Sequence, residues 1–185
     1  MSKTWNIRLS GTGGQGLILG GIILASAAVL DGNNTVQSQS YGPEARGGAS
    51  KAEVIISQEE IFYPKVENAD IFLSMSQPAY RKYSSQVKED AIIIIDSTLV
   101  KDLTQEKGKY YQIPITELAK QETGREMTAN IVALGVIAGI TGVVSEDALR
   151  KAVLARIPAG TEELNEKALN AGIRSGREAL NNTKD

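Results

Sequence analysis

The sequence predicts a doubly wound α/β fold with a mostly parallel sheet and additional C-terminal helices, on three observations. Strand-length apolar runs alternate with helical segments through the N-terminal part of the chain, which is the βαβ pattern. One such run, Ala91–Ser97, holds the consecutive isoleucines Ile92 to Ile95 and reads as a strand buried on both faces, as in a parallel sheet. A glycine cluster stands between the first predicted strand and the first predicted helix, where open α/β sheets place ligand-binding turns. The 185 residues suit a single domain over 1–180 with a flexible tail at Asn181–Asp185. A chain of this mass buries about 70% of its extended surface, enough for a core without staples.

The first strand is Trp5–Ser10, which alternates and runs into the glycines. Helix follows from Gly14 to Leu30, stopped by Gly32-Asn33-Asn34. Thr35–Ser40 reads as a second strand, Tyr41–Gly48 as an ordered loop rich in Gly and Pro, and Ser50–Ser57 as a third strand. After a connector broken by Pro64 come a strand at Ala69–Met75, a helix at Ala79–Val87 and the isoleucine strand. Lys109–Ile113 is a plausible edge strand ended by Pro114. Helical segments then fall near 116–123, 129–141, 146–155 and 161–181. Of these, Asn130–Gly142 is apolar nearly all round and needs packing partners on several sides.

Composition removes whole classes of chemistry. Cysteine and histidine are both absent, which excludes disulfides, thiolate nucleophiles, iron–sulfur ligands, most zinc sites and the usual general base. Twenty Lys and Arg against 22 Asp and Glu leave a net charge of −2, and no basic stripe points to nucleic acid. The longest apolar run, Leu17–Leu30, falls short of the about 20 residues a membrane span requires. Lys3 and Arg8 ahead of that run, with Ala25-Ser26-Ala27 behind it, outline a signal peptide, but the strand-like Trp5–Ser10 and the glycines argue against one. A cytoplasmic location is expected.

Gly11-Thr12-Gly13-Gly14-Gln15-Gly16 fits G-x-G-x-x-G in the strand-to-helix context that gives this fingerprint meaning, and makes the fold Rossmann-like. On that pattern Gly11 permits the tight turn, Gly13 admits the ligand to the backbone, and Gly16 lets the helix press on the strand. Free N–H groups at the helix start, with its dipole, make an anion site. The competing reading is close packing alone, as for Gly20 and Gly21. A nicotinamide site calls for an acidic residue at the end of the second strand, where Gln37-Ser38-Gln39-Ser40 stands.

Tyr41–Gly48 is expected on the same rim, with Arg46 either clamping a phosphate or carboxylate or pairing with Glu44. Ser76, Ser97 and Thr98 read as caps and turn residues, and Thr128 as an N-cap. Asn130 is either a satisfied buried amide or a group facing a ligand or partner. Glu59-Glu60, Glu146-Asp147 and Glu162-Glu163 read as helix starts or solvated faces, so no catalytic or metal-binding residue is assigned.

Gly11–Gly16, the stretch Y-G-P-E-A-R-G-G at Tyr41–Gly48, Asp96-Ser97, Asn130 in A-N-I-V-A-L-G, and Asn165, Ala168 and Gly172 in N-E-K-A-L-N-A-G resemble the gamma subunit of 2-oxoacid:ferredoxin oxidoreductases. The resemblance covers nearly the whole chain and is greatest to the 2-oxoglutarate type. The pyruvate, oxoisovalerate and indolepyruvate types share much of the pattern. It implies one gamma-type domain in a multi-subunit enzyme that converts a 2-oxoacid, coenzyme A and oxidised ferredoxin to an acyl-CoA, carbon dioxide and reduced ferredoxin. Thiamine diphosphate and iron–sulfur clusters would sit on partner subunits, with ferredoxin as electron acceptor. Gly11, Thr12, Gly13, Gly14, Gln15, Gly16 and Arg46 are then the candidate contacts to coenzyme A. The alternatives are a free-standing nucleotide-binding dehydrogenase and a purely structural assembly subunit.

Overall fold

A computed structural model describes residues 3–40, 48–104 and 107–183. β1 (Trp5–Thr12) runs into α1 (Leu17–Leu30), and β2 (Asn34–Gln39) and β3 (Ala49–Ser57) follow. β4 (Ala69–Ser74), α2 (Gln77–Tyr83), β5 (Val87–Asp96) and β6 (Lys109–Ile113) complete the sheet. The chain ends in α3 (Ile115–Thr123), a 3-10 turn at Glu126–Thr128, α4 (Ala129–Thr141), α5 (Glu146–Leu154) and α6 (Glu162–Asn182). The expected tail therefore begins as helix through Asn182, and Lys184 and Asp185 lie outside the described residues.

The six strands form one sheet in the order β2-β3-β1-β4-β5-β6. β1, β4, β5 and β6 pair in parallel, whereas β3 is antiparallel to both β1 and β2. The connection explains the reversal. Only nine residues separate Gln39 from Ala49, too few for the crossover that a parallel neighbour requires. β2, itself parallel to β1, is thereby displaced to the sheet edge.

β5 begins at Val87, where the sequence predicts helix. α2 stops after Tyr83 with Ser84 as its C-cap, and the β-branched Val87, 3% exposed, pairs with Ala69 in the ladder. The isoleucine run faces both layers as expected, with Ile93 and Ile95 under α2 and Ile94 in the opposite core. On the α2 side the Tyr80 and Tyr110 hydroxyls lie 3.0 Å apart. Burial, followed by that hydrogen bond, pushes the Tyr110 phenol above its ordinary value.

Arg8, one of the two charges ahead of the apolar run, is 1% exposed in the middle of β1. Its Nε donates to Glu53 Oε1 at 2.8 Å, its Nη1 to the Gln86 carbonyl at 2.9 Å and its Nη2 to the Val66 carbonyl at 2.8 Å. Lys51 Nζ reaches the same Glu53 oxygen at 2.8 Å from a more exposed position.

On the other face α1 packs on β1, β2 and β3 and α6 reaches β6, with α4 against both helices, α5 against α1 and α3 against α4 and α6. α4 and α6 run parallel, because Gly135 meets Leu169 and Gly172 while Gly139 meets Ile173 and Gly176. A Cβ on Gly135 or Gly139 would lie 2.5 Å from the Leu169 or Ile173 carbonyl oxygen, and one on Gly172 would overlap the Val132 carbonyl. These glycines let α4 bury its whole circumference.

Two stability outcomes follow. Gly172→Ala gains up to about 1 kcal/mol of helix propensity but forces two backbones apart at a cost of about 1–3 kcal/mol, so urea denaturation should show net destabilisation. Arg8→Met should cost about 3–5 kcal/mol by stranding buried partners, whereas Lys51→Met should cost under about 1 kcal/mol.

Candidate functional site

The glycine turn lies at the carboxyl end of β1 and leads directly into α1. Its glycines work differently from the fingerprint. Gly11 belongs to the strand, paired with Ser50, and its missing Cβ makes room for Leu17 Cδ1 and the Gln15 side-chain amide. Gly13 is exposed and is not among the glycines of positive φ. Left-handed backbone occurs instead at Gly14 (φ 91°) and at Gly16 (φ 72°), the N-cap of α1. Gly16 does not serve the contact of helix with strand. A Cβ there would lie 2.6 Å from Asn130 Nδ2, so this glycine admits the start of α4.

Two amide side chains brace the turn. Gln15 folds back, its Oε1 accepting from the Thr12 N–H at 2.8 Å and its Nε2 donating to the Met75 carbonyl at 2.9 Å. Asn130 Nδ2 donates to the Gly16 carbonyl at 3.3 Å, and its Oδ1 accepts from the Ile131 N–H at 2.9 Å. Asn130 is thus a satisfied amide that couples α4 to the turn. The N–H groups of Gly13, Gly14, Gly16 and the first α1 residues, Leu17 to Leu19, have no partner among the described residues. No acidic residue stands in the first turn of α1 to compete for an anion.

The other rim residues are fasteners. Ser76 Oγ caps α2 by accepting from the Ala79 N–H at 3.3 Å. Asp96, fully buried, accepts from the Thr98 N–H at 3.0 Å, the Thr116 N–H at 3.2 Å and the Thr116 hydroxyl, while Thr98 Oγ1 accepts from the Glu117 N–H at 3.2 Å. Thr128 stands at the cap position of α4 without capping it. The 3-10 turn enters the helix directly, and the Thr128 hydroxyl donates to the Arg125 carbonyl at 2.8 Å. Glu146 and Asp147, like Glu162 and Glu163, occupy the first turns of their helices. The Tyr41–Gly47 segment, with Arg46 and Glu44, lies outside the described residues.

Three clefts border the turn. One of about 420 Å³ lies between Gly14 and Gly16, the start of α4 and the start of α6. A second, about 560 Å³, runs from Thr12–Gln15 to Leu99, Thr116 and Met127. The third, about 370 Å³, lies towards Ser40 and Ser50. Arg125 and Met127, which the sequence reading passed over, stand at the first of these, and the Arg125 guanidinium makes no ion pair among the described residues. Among those residues no group of three or more acidic side chains could hold a metal.

The fold is a mixed α/β domain of the Rossmann-like type, with a glycine turn at the carboxyl end of β1. The chain belongs to the pyruvate ferredoxin/flavodoxin oxidoreductase family, whose profile matches residues 6–175. It is 47% identical over 175 residues to the 2-oxoglutarate synthase subunit KorC of Methanocaldococcus jannaschii, covering 93% of this chain and 94% of that one. The keto/oxoacid ferredoxin oxidoreductase gamma subunit of Geobacter sulfurreducens superposes with a TM-score of 0.85 at 48% identity, over 94% of this chain and 99% of that one. The ketoisovalerate oxidoreductase subunit VorA of Methanothermobacter marburgensis is 34% identical over 94% of this chain, which spans 37% of that longer protein. No helix among the described residues is long and apolar enough to cross a membrane.

Asn130→Ala removes the brace to Gly16 and the acceptor for the Ile131 N–H. Thermal or urea unfolding should show a loss of about 1–2 kcal/mol, and an unchanged midpoint would mean the two elements are not coupled through this side chain.

Proposed function

We propose that this chain is the gamma subunit of a multi-subunit 2-oxoacid:ferredoxin oxidoreductase of the 2-oxoglutarate type, and that its glycine turn holds a phosphate group of coenzyme A. The observation that carries the phosphate reading is the cluster of unengaged N–H groups at the uncapped, acid-free start of α1. The assembled enzyme oxidatively decarboxylates a 2-oxoacid to an acyl-CoA and passes the electrons to ferredoxin. Identity to KorC over nearly the full length of both chains supports the substrate type.

Thiamine diphosphate and iron–sulfur clusters supply the decarboxylation and electron transfer, and they do not fit this chain. It has neither cysteine nor histidine to ligate a cluster, and no group of three or more acidic side chains that could hold a metal occurs among the described residues. They belong to partner subunits. This chain contributes binding: the dipole and N–H groups of α1 attract the anion, and the braces from Gln15 and Asn130 hold those donors in place before it arrives.

A dinucleotide fits less well for a structural reason. β3 separates β2 from β1, so the end of β2 stands about 9–10 Å from the turn in the sheet plane, and it carries no acid for a ribose. Calorimetry with NAD should give a constant no tighter than about millimolar; a micromolar constant would favour the dehydrogenase reading. For coenzyme A the test is Gly13→Val in the assembled complex. The exposed position, with no positive φ to strain it, should fold normally, while the valine obstructs approach to the turn. The Michaelis constant for coenzyme A should rise about tenfold or more with that for the oxoacid nearly unchanged. An unaltered constant in a normally assembled complex would make the turn a packing device and the chain an assembly subunit.

A further inference from the structure

We infer that the outer flank of α1, together with the open edge of β2, is a permanent interface with another subunit of the same enzyme, which meets it with an apolar, uncharged surface and a strand laid along β2. The inference rests on the reading of this chain as one subunit of a multi-subunit oxidoreductase. Helices that cover a sheet ordinarily turn a charged face to water. The neighbours of α1 do so, α5 exposing the Asp147–Lys151 pair and α6 the Glu163–Lys167 pair. α1 carries no charged residue from Leu17 to Leu30. Its single polar side chain, Ser26, donates its hydroxyl back to the Ile22 carbonyl at 2.8 Å. Val29 and Leu30 are each 58% exposed, and Ile18 and Ile22 are half-buried.

Helix geometry places the flank. Gly20 faces Leu9 and Leu134, towards α4, and Gly21 faces Ala52, Gln37 and Val54 on the sheet. At about 100° per residue, Ile22 stands on the side away from α4, and Ile18 and Val29 share that side. They overlook β2, whose outer edge has no strand beside it among the described residues. Exposed edges are ordinarily guarded by Lys, Pro or a bulge. The far edge, β6, begins at the exposed Lys109 and ends against Pro114, whereas β2 has no charge, no Pro and a regular register with β3. Between Leu9 and Ser40 the chain holds one charged residue, Asp31, where its 23% charged composition would place about seven. Even that carboxylate is turned to the start of α5, where it accepts from the Ser145 N–H and hydroxyl, each at 2.6 Å. A surface this poor in charge matches obligate interfaces, which resemble a divided core. In VorA the matching stretch is 37% of a longer protein, so there a domain of this kind is joined permanently to further chain. A charge-free face lets such a neighbour sit without burying an unpaired ion, and an unguarded edge strand accepts a strand from it.

The test purifies the tagged full chain together with the other subunits of the oxidoreductase and measures how much partner is retained. Val29→Lys alters a residue already 58% exposed, and Thr35→Lys places a guard on the edge of β2. Both should keep an unfolding midpoint close to that of the wild-type chain while the retained partner falls about tenfold or more. Ile22→Lys, at the centre of the flank, should do the same with its stem laid along the helix, and if it fails to fold the first two variants decide. Amide exchange at Asn34–Gln39 should slow about tenfold or more in the complex relative to the chain alone. Lys151→Glu, on the charged face of α5, should retain partner as the wild type does. Retention within about twofold of wild type in both Val29→Lys and Thr35→Lys, or a loss as large in Lys151→Glu, would overturn the inference and leave the subunit reading intact. A chain that dimerises alone through this face and still binds its partners would overturn it too, since the occupant would then be a second copy. If the wild-type chain retains no partner at all, the subunit reading fails and the inference falls with it.

Discussion

A buried guanidinium fixes the register that places the glycine turn at one end of the sheet. Arg8 has lost its water, and its charge is tolerable because the Glu53 carboxylate and the carbonyls of Val66 and Gln86 replace that water at 2.8 to 2.9 Å. Those partners come from β3, from the connector before β4 and from the turn before β5. Arg8 and Glu53 are also directly opposed in the antiparallel ladder. A slip of one residue between β1 and β3 would turn the two charges to opposite faces and bury each alone. The ion pair thus specifies register, and register places Thr12 opposite Ala49 at the rim where the turn begins. Its value lies in excluding alternatives more than in added stability, since an apolar pair of similar volume would often be as stable.

The helical layer meets that rim by a different constraint. Close backbone approach between Gly135 and Gly172, repeated one turn on between Gly139 and Gly176, sets α4 and α6 side by side and parallel. Their N-termini consequently open on the same side as the start of α1, and Asn130 and Asn165 stand in the first turns facing one cleft. Asn130 then links the two systems, since its bond to the Gly16 carbonyl ties the helix pair to the turn set by the sheet. Small residues allow the approach, and the amides give it chemical character.

The sequence reading succeeded where the signal is local and failed where it depends on partners. The glycine turn, the isoleucine strand, the Ser76 cap and the apolar α4 were legible from spacing and period. The antiparallel β3 was hidden in a loop length that the alternating pattern made easy to overlook. Val87 reads as the end of a helix because its neighbours Lys88 to Asp90 carry no strand pattern, and only pairing with Ala69 recruits it to the sheet. Arg8 reads only as a charge ahead of an apolar run, and nothing local marks it as buried until the ladder puts Glu53 opposite. Gly16 and Gly172 announce close approach but not to what, and Asn165 stood out in the sequence only through resemblance, with no hint that its amide nitrogen bonds Thr161.

In the proposed role the domain assists the reaction by binding part of a reactant in a fixed place. Fixity is what the turn supplies. If its donors had to be ordered when the ligand arrived, each immobilised residue would cost about 1–2 kcal/mol, comparable with the bonds gained. Gln15 removes that cost by tying Thr12 to the end of β4, and Asn130 by holding Gly16 against α4. Both braces use side chains whose own groups are satisfied in doing so, leaving the backbone N–H groups as the unsatisfied remainder. In that role the turn is rigid by virtue of what is bonded and receptive by virtue of what is not.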